Sequence, residues 1–100
     1  MLKHIVMWKL KDFAQGATKK ENAQKIKSQL EELRNKIKEI KFLEVGININ
    51  DSADSYDIVL YSEFDSLEDL KTYQNHPEHI RVGDFVGEVR LERKVADYEK

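Results

Sequence analysis

Residues 2–10, LKHIVMWKL, hold a run of apolar positions rich in β-branched and aromatic types and short enough for a strand. Alternation puts His4, Val6 and Trp8 on one face and Ile5 and Met7 on the other. Both faces are apolar at the centre, so both call for cover. A loop around Gly16 follows. Thr18 and Glu21 then form a T-x-x-E capping box. Behind it Ala23, Ile26, Leu30, Leu33, Ile37 and Ile40 recur every three or four positions, one stripe on a helix of about six turns. FLEVGINI (42–49) and YDIVLYSEF (56–64) return to alternation across the polar turn NDSADS, which reads as a hairpin.

Asp65 or Ser66 caps a second helix, with Leu67, Leu70 and Tyr73 on its buried side. Pro77 ends it, because proline has no N–H and its ring collides with the preceding turn. Proline also suits the first position of a new helix, so a restart at 77, running to about 88, is expected, with Ile80, Phe85, Val86 and Val89 inward. RLERKVADY (90–98) makes a charged last strand, suited to a sheet edge or to a dimer contact. The order βαββαβ predicts an α+β, ferredoxin-like fold with two helices on one face of a four-stranded antiparallel sheet. The apolar residues on the opposite face predict a homodimer in which a second copy covers it.

Composition narrows the function. One hundred residues make one domain, 1–100, with a modest core. Charged residues form 36% of the chain, yet the net charge is only −2. That balance argues against nucleic acid or an anionic membrane as partner. The lysines at 19, 20, 25 and 27 read as a solvated helix face. The lack of cysteine excludes disulfides and thiolate chemistry and fits a cytoplasmic setting. His4 and Lys9 interrupt the apolar opening, so neither a signal peptide nor a membrane span is expected there. No phosphate-binding glycine loop or nucleophile elbow is present.

The chemistry concentrates in TYQNHPEHIRV (72–82), where Tyr73, His76 and His79 stand three apart around Pro77. His76 precedes proline and is expected to serve the cap of the new helix. The break at Pro77 spoils the geometry for a histidine metal site, so no metal or other cofactor is expected. Trp8 and Phe85 fit either core packing or a platform for a ligand. Gly83 and Gly87 inside a helix imply close packing or room for a ligand beside it.

The opening KHIVMWKLKD, the segment SEFDSLEDLKTYQNHPEH and the closing VADYE resemble the stress-responsive α/β-barrel (Dabb) domain family over nearly the whole chain. The resemblance implies a dimeric α/β barrel with a pocket between sheet and helices in each subunit. At Y-x-x-H-P-x-H the chain is similar to polyketide cyclases of the olivetolic acid cyclase type, which close a ring without a cofactor. That similarity implies catalytic roles for Tyr73 and His79 and places His4, Val6 and Trp8 along the pocket; His76 and Phe85 complete the candidate ligand-binding set. His79 would remove a proton beside a carbonyl, and Tyr73 would donate a hydrogen bond to the carbonyl oxygen. The region KKENAQKI lacks the aromatic residues that line the cyclase pocket. The expected ligand is a small apolar or aromatic molecule. The competing readings are a non-catalytic, stress-induced structural or protective dimer and, by analogy of fold alone, a cofactor-free monooxygenase.

Overall fold

The computed structural model describes residues 1–100. Its elements are β1 (Leu2–Leu10), β2 (Phe13–Ala14), β3 (Ala17–Thr18), α1 (Lys19–Glu32), a 3₁₀ turn (Leu33–Asn35), β4 (Phe42–Ile47), β5 (Ile58–Phe64), α2 (Leu67–Asn75), α3 (Pro77–Val89) and β6 (Arg90–Glu99). The four long strands form an antiparallel sheet in the order β4-β5-β1-β6. With the helices on one face, this is the ferredoxin-like α+β fold that the order of elements predicts.

Strand alternation decides what lies beneath the helices. His4, Val6, Trp8 and Leu10 of β1 are buried on that side, as are Leu43 and Val45 of β4 and Ile58, Leu60, Ser62 and Phe64 of β5. The register sets Val6 beside Leu60 and Trp8 beside Ile58. Ile26 and Leu30 of α1, Leu70 and Tyr73 of α2, and Val82, Val86 and Val89 of α3 close the same core. Each fully buried aliphatic side chain is worth about 1.5–3 kcal/mol. No helix is long and apolar enough to cross a membrane.

The local signals act as their chemistry dictates. Thr18 Oγ1 accepts from the Glu21 amide at 3.2 Å, and Glu21 accepts from the Thr18 amide at 2.9 Å, completing the capping box. Ser66 caps α2 through the Asp69 amide. The loop around Gly16 is a small hairpin. Gln15 and Gly16 both take positive φ, 52° and 71°, as a two-residue turn between twisted strands requires.

Several expectations need correction. The first helix stops at Glu32, and Ile37 and Ile40 are reached by non-helical chain. A helix to residue 40 would be about 33 Å long. The six-residue β4 on which α1 packs spans only about 20 Å. The hairpin strands end early, leaving Ile49 fully exposed in the connecting loop. Leu67 and Ile80 are about half exposed. Each lies off the stripe that meets the sheet, and on α3 that stripe is formed by Val82, Val86 and Val89.

Candidate functional site

The site begins at the junction of α2 and α3. His76 takes an extended backbone, φ −67° and ψ 135°, which ends α2 and starts α3 at Pro77. Its Nδ1 accepts from the Glu78 amide at 3.1 Å, so the imidazole is committed to the helix cap. This turn aims Tyr73 and His79 at one another, with ring centroids 4.4 Å apart. Tyr73 also packs against Phe64 at 5.0 Å and His4 at 6.3 Å.

Between α3 and the sheet lies a cleft of about 190 Å³. His4, Val6, Trp8 and Leu60 supply its floor, and His79, Val82, Val86 and the two helix glycines supply its roof. A Cβ built on Gly83 or Gly87 would meet no atom within 4 Å, so these glycines leave room rather than permit close packing. The far wall is polar: Gln74, Arg90 and Arg93.

Each imidazole at the site is oriented by its other nitrogen. His79 Nδ1 lies 3.1 Å from the Gln74 carbonyl. A carbonyl can only accept, so Nδ1 carries the hydrogen and Nε2 is left as the basic nitrogen. Burial is the main reason its pKa is held below the ordinary 6.5; the Gln74 bond opposes this, and the neighbouring charges of His4 and Arg93 add to it. His79 is therefore neutral at neutral pH. His4, almost fully buried, has Nδ1 paired with Asp97 Oδ1 at 2.5 Å. Tyr73 has no solvent exposure, and its hydroxyl has no hydrogen-bond partner. Burial pushes its pKa far above the ordinary tyrosine value, so the phenol stays protonated.

The structure thus gathers His4, Val6, Trp8 and His79 on one cleft and leaves three candidates off its wall. His76 is the cap. Phe85 packs against the core and under the Lys25 ammonium, 6.0 Å from its ring. Tyr73 stands behind His79 rather than beside the open space, and it makes no hydrogen bond to that histidine. Sequence reasoning missed Gln74, Arg90, Arg93 and Asp97. Alternation along β6 holds a partial signal, since Arg93, Val95 and Asp97 share a face. Only the pairing of β6 with β1 shows that this face meets the cleft.

A four-stranded antiparallel sheet with its helices on one face defines the ferredoxin-like class of α+β domains. Within that class this chain belongs to the Stress responsive A/B Barrel Domain (Dabb) family, whose profile matches residues 2–100. It is similar to a dimeric protein of unknown function and ferredoxin-like fold from Bacteroides fragilis, with 39% identity, 99% of this chain and 95% of that chain covered, and a TM-score of 0.85. It is 32% identical over 89 residues to a stress-response A/B barrel domain-containing protein of Arabidopsis thaliana. That match covers 82% of this chain and spans 30% of the plant protein's length. The hydroxynitrile lyase of Passiflora edulis shares the fold, with a TM-score of 0.80 at 21% identity over 97% of this chain and 90% of that one.

Proposed function

We propose that the chain works as a homodimer whose subunits each bind a small organic molecule in the cleft, and that His79 and Tyr73 perform cofactor-free acid–base chemistry on it. The observation that carries this reading is His79, a neutral imidazole on the cleft wall whose Nδ1–H is fixed by the Gln74 carbonyl. Its Nε2 takes a proton from the carbon next to a carbonyl, and the electron pair moves onto the carbonyl oxygen. The Tyr73 hydroxyl, otherwise unpaired, donates a hydrogen bond to that oxygen. Tyr73 reaches it when the ligand or a turn of the His79 ring opens the contact between the two rings. In a cyclase-like reaction the resulting carbon nucleophile adds to a second carbonyl of the same molecule, and the new alkoxide recovers the proton from His79. The likeness to olivetolic acid cyclase-type enzymes at Y-x-x-H-P-x-H and the lyase of the same fold both favour this class of chemistry.

The test is proton exchange in deuterated water. The protein is expected to accelerate loss of the methyl proton signal of acetophenone, followed by proton NMR, beyond the rate with heat-unfolded protein. An unaltered rate across a set of aryl ketones would refute the catalytic part. The concealment of Tyr73 favours a second reading, in which the cleft binds without turnover; binding with no exchange is its signature.

The dimer rests on the uncovered sheet face. Ile5, Met7, Val59 and Tyr61 lie there in partial contact with solvent. The polar groups among them are internally matched: Lys3 Nζ and the Tyr61 hydroxyl both donate to Glu63 Oε2 at 2.6 Å. A face that is apolar and locally neutral suits a second copy. Sedimentation equilibrium is expected to give twice the chain mass, and Val59→Asp to shift it toward one. A wild-type monomer at micromolar concentration would contradict the assembly.

A further inference from the structure

We infer that the molecule held in the cleft is an anion, a small apolar or aromatic carboxylate whose acid group is gripped by Arg90 and Arg93 while its body lies against Val6, Trp8 and Val82. This deepens the reading of the cleft as a ligand site and rests on it.

The two arginines stand three residues apart, which in a regular strand would send them to opposite faces. They share a face because the register shifts at this point: Lys9 pairs with Glu92, but Leu10 pairs with Arg90, so Leu91 is an extra residue. A bulge of this kind turns a side chain from one face to the other. Arg90 is thereby set opposite Leu10 and Arg93 opposite Trp8, both residues of the covered side, and both arginines line the cleft at its solvent-exposed side.

Neither arginine is neutralised. No carboxylate in the chain forms an ion pair with Arg90 or Arg93. The nearest acids by register are engaged elsewhere, Asp97 by His4 and Glu92 by Lys9. The chain as a whole carries −2, so this cationic wall runs against the sign of the whole protein. Guanidinium forks match the planar, two-oxygen geometry of a carboxylate and bind it with charge-assisted hydrogen bonds. The remaining lining is six apolar side chains with His4, His79, Gln74 and the two glycines among them, and about 190 Å³ falls below the ~300–1,000 Å³ of sites for drug-sized ligands. A one-ring carboxylate fits that combination of size, apolar lining and one charged end. Arginines that merely protect an edge strand from pairing would bind nothing in particular.

The chain has a single tryptophan, Trp8, on the cleft wall, so its fluorescence reports occupancy. Benzoate, benzamide and inorganic phosphate are titrated separately. Benzoate is expected to saturate the Trp8 response at concentrations at least about tenfold below benzamide. Added sodium chloride should weaken benzoate alone, and phosphate should leave Trp8 unchanged. Arg93→Gln and the double change with Arg90→Gln should erase the preference, whereas Arg81→Gln, on an arginine paired with Glu78, should keep it. Equal binding of benzamide, a preference that survives both substitutions, or a phosphate response equal to that of benzoate would each overturn the assignment of an arginine-held carboxylate while leaving the cleft as a ligand site. Silence of Trp8 toward every probe up to its solubility would remove the ligand site itself. The salt dependence on unaltered protein keeps the test decisive should a variant fold poorly.

Discussion

Tyr73→Phe is expected to make this protein more stable, and Tyr73→Ala to bring it close to unfolding. The two substitutions separate the ring from its hydroxyl. The ring has no exposed surface and touches Phe64, His4 and His79. Deleting a buried aromatic side chain costs about 3–5 kcal/mol. Total stability for a domain of this size is only about 5–15 kcal/mol. The hydroxyl, by contrast, is buried without a partner. Such a group carries a desolvation penalty of about 1–3 kcal/mol that its removal recovers. Urea midpoints at a fixed protein concentration should move in opposite directions, with unchanged slopes. At the same time Tyr73→Phe should slow proton exchange in the aryl ketones about 10²–10³-fold, the usual cost of losing one donor to a developing oxyanion. Stability gained as activity is lost would identify the unpaired phenol as a group kept for chemistry. A Phe variant less stable than wild type would mean that the hydroxyl has a structural partner in solution, and its catalytic role would lose its basis.

How much of this arrangement is legible in the chain depends on the range of the forces involved. Short-range signals carried well. The capping box at Thr18 and Glu21, the Ser66 cap and the break at Pro77 depend on atoms within four residues of one another, and each acts as its residue types require. The buried face of β1 follows from strict alternation. Patterns whose outcome depends on a neighbouring element carried less. Ile37 keeps its place in the core although the helix ends before it, because the stripe records burial and not backbone conformation. Leu67 and Ile80 are apolar residues on helix faces that point away from the sheet.

The site shows the same division. His4, Trp8 and His79 could be nominated from their positions, but the cationic wall could not. Arg90 and Arg93 sit in the mixed-charge run RLERK, and a one-residue slip reverses every side chain in a strand. Their common direction comes from a bulge that only the pairing with β1 reveals. His76 and Phe85 follow the local readings instead, His76 that of a helix cap before proline and Phe85 that of core packing. Both are close to the site in sequence, yet the helix cap claims one and core packing beside Lys25 the other.

His79→Gln is expected to have the largest effect on activity and a small effect on stability at neutral pH. Glutamine can still donate to the Gln74 carbonyl, but its amide cannot take up a proton. Exchange of the aryl ketone protons should therefore fall about 10²–10⁴-fold, the range for loss of a general base. The pH dependence gives a second readout that packing alone would not move. Burial holds the His79 pKa below 6.5 in the folded state, so the unfolded chain binds more protons in the window just under that value. Stability rises with pH wherever the unfolded state holds the extra proton. The His79 contribution is thus fully present above 6.5 and is lost as the pH falls through the folded value. In His79→Gln this step should vanish. The acid transition below about 4.5 should persist, because Lys36 holds the Glu78 carboxylate and Lys3 holds that of Glu63 below their ordinary range. The wild-type exchange rate should fall over the window in which His79 becomes protonated, since an imidazolium has no lone pair to offer. A variant that retains both the rate and the pH step would transfer the basic role to another group, and His4, on the same cleft and held by Asp97, is the next imidazole to replace.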